Sequence, residues 1–383
     1  MNLGQFRKIK IYIDSREAER IRNIRRSKII NDIECMGSSN LSSFEKRSIS
    51  QYRLLRKYQS RIYKMIYDAF SITLGLFLRL KGCFTQKRPK HILPNDKHRA
   101  VFLGSSTNKS IIPKEIESSY VIYCEPFLKN KFFSKDVLIF WKRSTKKMRF
   151  HAFYRAQSLI YLTNIAYSIE RYSPEALITT SESSFVCSLI TEYCHLKNVK
   201  HICIMHGEKL IQPGTAFFKV DSFFVWDKYY VDLFQACKAD VGKFVISNPW
   251  QRKTLSISSK TATYYMQILP KDMRGFTERL NKLYEKGWTV KVRPHPSFMN
   301  DRTLRKYFRK EQIEDSNKVD IEESLDSTTL AISQYSTSLF QAWSRGVKVC
   351  IDDVSNVTLF RDLQDKKYIM LQKDHILLSQ LIG

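Results

Sequence analysis

Residues 291–297 read Lys-Val-Arg-Pro-His-Pro-Ser, which places a histidine between two prolines. The two prolines lack N–H donors and fix the backbone angle φ, so the strand predicted over residues 288–292 must stop there. The side chains of Arg293 and His295 are therefore presented at the carboxyl end of a strand. Ligands of open α/β sheets bind at this edge. We predict a ligand site that includes Arg293, His295 and Pro296.

A second polar strand end follows downstream. Residues 330–336 read Leu-Ala-Ile-Ser-Gln-Tyr-Ser, which predicts a strand and a turn, and residues 337–345 predict a helix that Gly346 closes. Ser336, Thr337 and Ser338 then lie at a helix N-terminus, where N–H groups, hydroxyls and the helix dipole favour a phosphate. Simple helix capping would also explain these residues.

A third strand end supplies candidate bases. The predicted strand over residues 201–205 runs into His206, Gly207 and Glu208, and Glu182 ends the strand before it. A histidine or a carboxylate at a strand end can act as a general base. A turn with a hydrogen-bonded histidine is the alternative.

Short apolar runs and amphipathic stretches alternate from residue 99 onward, and this alternation predicts a parallel, doubly wound sheet. Residues 99–104, 120–124 and 137–141 are read as strands, and residues 175–205 as a β-α-β unit. A polar stretch over residues 248–260 is read as a linker, after which a second series of strands begins and ends with a strand over residues 368–371. We predict an α/β chain with two Rossmann-like domains facing a cleft, over residues 96–248 and 259–383, preceded by a basic helical extension over residues 1–95.

The charge balance requires an anionic partner. Sixty-four Lys and Arg residues against 37 Asp and Glu residues give a net charge of +27. Residues 65–78 form the one long apolar run, which is too short and too interrupted by Asp68 to cross a bilayer, and basic residues flank it. This pattern predicts a helix that lies on an anionic membrane surface, or else a packed helix with solvated charges.

The cysteine pattern indicates the cellular compartment, and the absence of known motifs excludes several classes of enzyme. Eight cysteines without a Cys-x-x-Cys pair, and no signal peptide, indicate a reduced cytoplasmic chain, which the basic flanks of residues 65–78 could bring to the inner face of the plasma membrane. Cys194, His195, His201, Cys203 and His206 lack the spacing of a zinc site, and Asp352 and Asp353 have no second acidic motif for magnesium. No P-loop, dinucleotide fingerprint or nucleophile elbow is present.

The ordered set His206-Gly207, Arg293-Pro294-His295-Pro296 and Ser336-Thr337-Ser338 resembles bacterial GT-B glycosyltransferases that build surface polysaccharides. The resemblance spans residues 175–371 and includes sialyl- and polysialyltransferases, capsule Kdo transferases and CDP-glycerol glycerophosphotransferases. The chain departs from the sialyltransferase pattern because it lacks an acidic-acidic-Gly triplet in the N-terminal domain.

The resemblance implies a site and a reaction. Arg293, His295, Pro296 and the three hydroxyl residues 336–338 would bind the phosphate of a nucleotide-activated sugar, with a cytidine nucleotide favoured, while His206, Glu208 or Glu182 would be the base. The acceptor would be a glycan or lipid-linked glycan of an O-antigen, capsule or lipooligosaccharide, and neither a metal nor a cofactor is expected. Polyol-phosphate transfer from a CDP-alcohol is the alternative reaction. Nucleic-acid binding, the other reading of the positive charge, lacks any recognisable motif.

Overall fold

The fold is described from a computed structural model, which covers residues 14, 17, 19–38, 41–84, 88–91, 98–104, 111–127, 130–250, 260–299 and 301–383, with only the backbone described at residues 76–84 and 297. The chain divides into two compact units. Unit 1 comprises Met1–His206 and Ile211–Pro249, and unit 2 comprises Gly207–Leu210 and Trp250–Gly383. Most of the predicted linker, residues 251–259, lies outside the described residues.

Unit 1 is built on a parallel sheet of six strands in the order β2-β1-β3-β4-β5-β6. The strands are β1 (Arg99–Leu103), β2 (Val121–Glu125), β3 (Ala176–Thr179), β4 (Lys200–Ile204), β5 (Lys219–Val225) and β6 (Asp240–Ile246). Apolar residues of β1 and β3 are buried on both faces of this sheet, which explains why these strands read as continuous apolar runs. The predicted α/β class with parallel sheets is confirmed.

Helices cover both faces of the unit 1 sheet. They are α1 (Arg26–Gly37), α2 (Phe44–Tyr58), α3 (Arg61–Phe84), α4 (Lys114–Ser119), α5 (Lys135–Ser144), α6 (Ala152–Tyr172), α7 (Cys187–Leu196) and α8 (Lys228–Ala236). In α2, the side chains of Ile49 and Tyr52 join the main apolar core of the unit. The Ser48 hydroxyl donates to the Phe185 carbonyl at 2.6 Å. Although α2 falls within the predicted extension over residues 1–95, it is thus an integral part of unit 1.

Residues 137–141, predicted as a strand, are helical and belong to α5. The Ser134 side chain caps this helix by accepting from the Val137 N–H, and Asp136 follows in the first turn, where the helix dipole favours a carboxylate. The buried residues Val137, Phe140 and Trp141 share one face at helical spacing. The prediction was wrong because it read a short apolar run and overlooked the cap in front of it.

Unit 2 is built on a parallel sheet of five strands in the order β11-β10-β9-β7-β8. The strands are β7 (Thr261–Met266), β8 (Thr289–Pro294), β9 (Leu330–Ser333), β10 (Lys348–Ile351) and β11 (Ile376–Leu377). Numbered within the unit, this order is 2-1-3-4-5, in which the chain reverses its direction of winding between β7 and β9. Such a reversal is where ligands bind in doubly wound sheets.

The helices of unit 2 begin at polar N-cap residues, except for the last one, which follows Leu377. They are α9 (Met273–Glu285), α10 (Arg302–Tyr307), α11 (Ile321–Asp326), α12 (Thr337–Arg345), α13 (Val357–Asp365) and α14 (Leu378–Ile382). Gly346 ends α12 with a φ of 85°, in the left-handed region that glycine adopts without a steric cost. Residues 368–371, predicted as a strand, instead enter the 3-10 turn Ile369–Gln372, because the Leu371 N–H bonds locally to the Tyr368 carbonyl at 3.0 Å.

Candidate functional site

The carboxyl ends of three neighbouring strands form the candidate site of unit 2. Strand β7 lies between β8 and β9. At the end of β8, the His295 N–H donates to the carbonyl of Met266, the last residue of β7, at 2.9 Å. One residue further on, Gln267 donates through Nε2 to the Ser336 hydroxyl at 2.9 Å, just beyond β9. The predicted residues His295 and Ser336 therefore lie at the same edge of one sheet, where its winding reverses.

The three hydroxyls at the start of α12 differ in their surroundings. Ser336 is 2% exposed, and its Oγ accepts from the Ser338 N–H at 3.1 Å and from Gln267. Ser336 is thus the N-cap of the helix. Thr337 and Ser338 are partly exposed, so their side chains are the ones a ligand can reach.

The segment Gly207–Leu210 contacts the same helix start, as part of unit 2. The Glu208 N–H donates to Thr337 Oγ1 at 3.1 Å, and the Tyr335 hydroxyl donates to the Glu208 carbonyl at 3.2 Å. A Cβ added at Gly207 would stand 3.6 Å from Thr337 Oγ1. Two of the predicted motifs, Gly207-Glu208 and Ser336-Thr337-Ser338, are thus brought together.

His295 stands before the 3-10 turn Pro296–Phe298, and its carbonyl accepts from the Phe298 N–H at 3.0 Å. Its ring centroid lies 5.7 Å from that of Phe298, while part of the side chain is exposed. The surrounding packing lowers the pKa of His295 below its usual value, because burial disfavours the imidazolium. The exposed Pro296 fixes the backbone that leaves the strand.

Arg293 is engaged inside unit 2. Its guanidinium donates to Glu314 Oε1 at 2.6 Å and to the Val319 carbonyl at 2.8 Å. The side chains of Arg293 and Glu314 are only 9% and 8% exposed. This buried ion pair ties the end of β8 to the segment that follows α10.

The two candidate bases of unit 1 lie at the carboxyl ends of adjacent strands but differ in burial. Glu182 follows β3 and is 0% exposed, and its carbonyl accepts from Gln51 Nε2 of α2 at 3.1 Å. His206 follows β4 and is exposed. An acceptor hydroxyl can therefore reach the imidazole of His206 more readily than the carboxylate of Glu182.

His201 is a buried histidine whose hydrogen bonds within the core explain its presence without a ligand. Both ring nitrogens have hydroxyl partners, Thr179 Oγ1 at 2.8 Å and Thr191 Oγ1 at 2.7 Å. His195 pairs with Asp221 at 2.7 Å. Among the residues that the structure describes, no cluster of His, Cys, Asp and Glu side chains could hold a metal ion.

Sequence reasoning missed two residues of the site, Gln267 and Tyr335. Gln267 bonds to Ser336, and Tyr335 bonds to the backbone of Glu208. Gln267 could have been predicted from the sequence, because it is the polar residue directly after β7. The partner of Tyr335 comes from a distant part of the sequence, so no local pattern indicates it.

Comparisons with known proteins give weak similarities. No family model and no curated protein matches the sequence. Among solved structures, the chain is similar to the spinosyn rhamnosyltransferase SpnG, with 12% identity over 75% of this chain and 98% of that chain and a TM-score of 0.42. It is also similar to a variant of the wall teichoic acid polymerase TagF, with 12% identity over 85% of this chain and 89% of that chain and a TM-score of 0.44. The glycotransferase of kitacinnamycin has 9% identity over 75% and 87% of the two chains and a TM-score of 0.37. Similarities at this level define neither a family nor an activity.

Proposed function

We propose that this chain is a glycosyltransferase of GT-B type, which transfers a sugar from a nucleotide-activated donor, with a cytidine nucleotide favoured, to a growing surface glycan. The supporting observation is that His295 and the start of α12 lie on either side of the end of β7, at the edge where the winding of the unit 2 sheet reverses. This edge combines an imidazole, two reachable hydroxyls and the positive end of a nine-residue helix.

The donor phosphate is the group that this edge fits. Thr337 Oγ1 already accepts a hydrogen bond from the Glu208 N–H, so its own O–H serves as a donor to a phosphate oxygen. Ser338 adds a second hydroxyl, and neutral His295 adds one ring N–H. Arg293 contributes less directly, because its ion pair with Glu314 holds the end of the strand in place.

The reaction is a direct displacement at the anomeric carbon. The acceptor oxygen forms its bond to that carbon while the bond from the carbon to the donor phosphate breaks and its electron pair leaves with the phosphate. Sugar transfer passes through an oxocarbenium-like state, so stabilising the leaving phosphate matters most, and His295 and the α12 N-terminus do this. No metal is needed for this step.

The acceptor proton goes to a base, for which we propose His206. Its exposure allows an acceptor to approach, whereas Glu182 is fully buried. Glu208 is the second candidate, since its backbone is anchored to Thr337 and Tyr335. The acceptor is a glycan or a lipid-linked glycan, and an anionic membrane surface is the partner that would bring the enzyme to it.

Nucleotide binding tests the phosphate site directly. CMP, CDP, UDP and GDP are titrated in turn while thermal unfolding is followed, because a ligand that binds only the folded protein raises the melting temperature. We expect the best nucleotide to lose most of its effect in His295→Ala and in Ser338→Ala. His375→Ala is the matched control, because that imidazole bonds to the Lys373 carbonyl away from the site. If no nucleotide raises the melting temperature, or if His295→Ala responds like the wild type, the proposal fails.

Turnover tests the base and the reaction class. With the nucleotide that binds best, supplied as its sugar conjugate, His206→Ala should lose transfer while keeping nucleotide binding. A nucleotide sugar and a CDP-alcohol are supplied in separate reactions, and the mass of the product then separates sugar transfer from polyol-phosphate transfer, because only the latter carries a phosphate to the acceptor.

A further inference from the structure

Helix α3 carries an apolar face that points away from the core of unit 1. Ile62 is 72% exposed and Met65 is 71% exposed, and Ile66, Phe70 and Ile72 are exposed as well. Together with Ala69 and Thr73, also exposed, these residues cover an arc of about 160° at the helical step of about 100° per residue. The opposite side packs inward, with Tyr67 and Leu74 against the core. We call this exposed arc the apolar arc.

The one polar group on the apolar arc is already bonded. The Thr73 hydroxyl donates to the Phe70 carbonyl of its own helix at 2.8 Å, so it does not require water. A surface helix normally turns charged residues to this side. The composition of the apolar arc therefore fits a surrounding that is not water.

A neighbouring groove extends the apolar arc. Ser71, Ile72 and Gly75 of α3 line a cavity of about 290 Å³ with Trp141, Phe150 and Leu159. Phe150 is 85% exposed and lies under the Arg149 guanidinium, whose Cζ is 4.6 Å from the ring centroid. Arg155 stacks in the same way on Trp141, at 4.7 Å.

Exposed or partly exposed cations lie beside this apolar surface. Arg149 and Arg155 line the cavity, and Arg61 and Lys64 belong to the first turn of α3. The pKa of His151, the residue after Phe150, is lowered by burial and by the charge of Arg53, which therefore lies nearby.

Three nearby carboxylates are engaged, Asp68 by Arg56, Glu45 by Lys147, and Asp14 by the hydroxyls of Tyr63 and Tyr67. A second copy of the chain would carry the same positive charge and be repelled. The phosphate backbone of a nucleic acid would not bury exposed isoleucine and methionine side chains. An anionic phospholipid surface offers both acyl chains and phosphates.

We propose that unit 1 docks on an anionic bilayer through the apolar arc and Phe150, with α3 lying in the plane of the interface and the neighbouring arginines and lysines contacting lipid phosphates. No helix among the described residues is long and apolar enough to span a bilayer. This inference assigns residues to the membrane contact of the proposed function, and its test needs no transfer activity.

Vesicle binding of the full chain tests the proposal. Sedimentation is measured with vesicles of phosphatidylcholine alone and with vesicles containing about one third phosphatidylglycerol, at moderate salt. We expect binding to the anionic vesicles, and a loss of about tenfold or more in Met65→Gln/Phe70→Gln, since both changes remove apolar burial. Arg53→Gln/Arg149→Gln should weaken the same binding and flatten its dependence on salt.

The matched control is Leu196→Gln/Ile246→Gln, two apolar side chains of unit 1 that are 56% and 54% exposed and lie outside the apolar arc. It should bind vesicles like the wild type, and circular dichroism should confirm that all variants fold. The proposal is overturned if the wild type does not bind anionic vesicles, or if Met65→Gln/Phe70→Gln binds them equally well. It is also overturned if that variant changes the oligomeric state, or oligonucleotide binding, instead of vesicle binding. Nucleotide-induced thermal stabilisation in the same variants reports separately on the transfer site.

Discussion

The substitution Arg293→Met tests whether the guanidinium of Arg293 stabilises unit 2 or binds the phosphate of a ligand. The substitution keeps an unbranched apolar stem but leaves the Glu314 carboxylate, only 8% exposed, without its cation, and the Val319 carbonyl without its donor. Removing one partner of a buried ion pair costs about 3 to 5 kcal/mol. At about 1.4 kcal/mol per factor of ten, the opening equilibrium of unit 2 should shift by roughly 100-fold to a few thousand-fold.

Native-state hydrogen exchange of the backbone amides in β7 and β8 measures this shift in the intact protein. The control is Arg274→Met, because the ion pair of Arg274 with Glu278 is 85% and 63% exposed and should contribute at most about 1 kcal/mol. The double variant Arg293→Met/Glu314→Leu should recover most of the lost stability, since an apolar pair replaces two buried charges.

Nucleotide binding by the double variant then tests whether Arg293 also binds phosphate. If the guanidinium only supports the strand end, a restored fold restores nucleotide-induced stabilisation as well. If it also binds phosphate, stability returns and nucleotide binding does not. Unchanged exchange in β7 and β8 of Arg293→Met would refute the assignment of a structural ion pair.

Three further changes test the strand ends and the helix start. Ser336→Ala should destabilise α12 by about 1 to 3 kcal/mol, because the helix loses its cap and the Gln267 amide loses its acceptor, and hydrogen exchange of the α12 amides measures this. Nucleotide affinity, measured by calorimetry, should rise as the pH falls below neutrality. The pKa of His295 is lowered, so the ring is neutral at pH 7 and becomes a cation that attracts phosphate only at more acidic pH. His295→Gln should lack this part of the pH dependence. Gly346→Ala should cost about 1 to 2 kcal/mol in thermal or urea unfolding, because its φ of 85° is unfavourable for a residue with a Cβ.

The strand ends were predictable because their signals are local. Pro294 is the last residue of β8, two residues beyond the predicted end of the strand, and Pro296 begins the 3-10 turn that follows. The serine at position 336 and the glycine at position 346 delimit α12. Residues 137–141 were wrongly predicted as a strand, because a buried strand and a buried helix segment of that length have the same apolar composition. The Ser134 cap was the local signal that separates the two.

The partners of the predicted residues could not be read from the sequence. Arg293 was identified correctly as a strand-end residue, but its ion pair with Glu314 depends on how the segment after α10 returns to β8. The burial of Glu182 depends in the same way on α2, which contributes Gln51 from the part of the chain predicted as an extension. Such contacts are set by tertiary packing, and they decide which of several chemically suitable side chains a ligand can reach.

Strand β7 carries none of the predicted motifs, but it sets the spacing between the two groups of the proposed phosphate site in unit 2. Neighbouring parallel strands lie about 4.8 Å apart, so the backbones of β8 and β9, with β7 between them, are separated by roughly 10 Å. In the proposed site, His295 at the end of β8 and the hydroxyls at the start of α12 beyond β9 would therefore contact a ligand from two sides. Gln267, directly after β7, holds Ser336 by a hydrogen bond. We expect a donor with two phosphates to contact both sides at once, whereas a donor with one phosphate would need the His295 side chain to extend toward α12. The ranking of CMP against CDP, UDP and GDP in the titration thus reports on the number of phosphates in the donor as well as on its base.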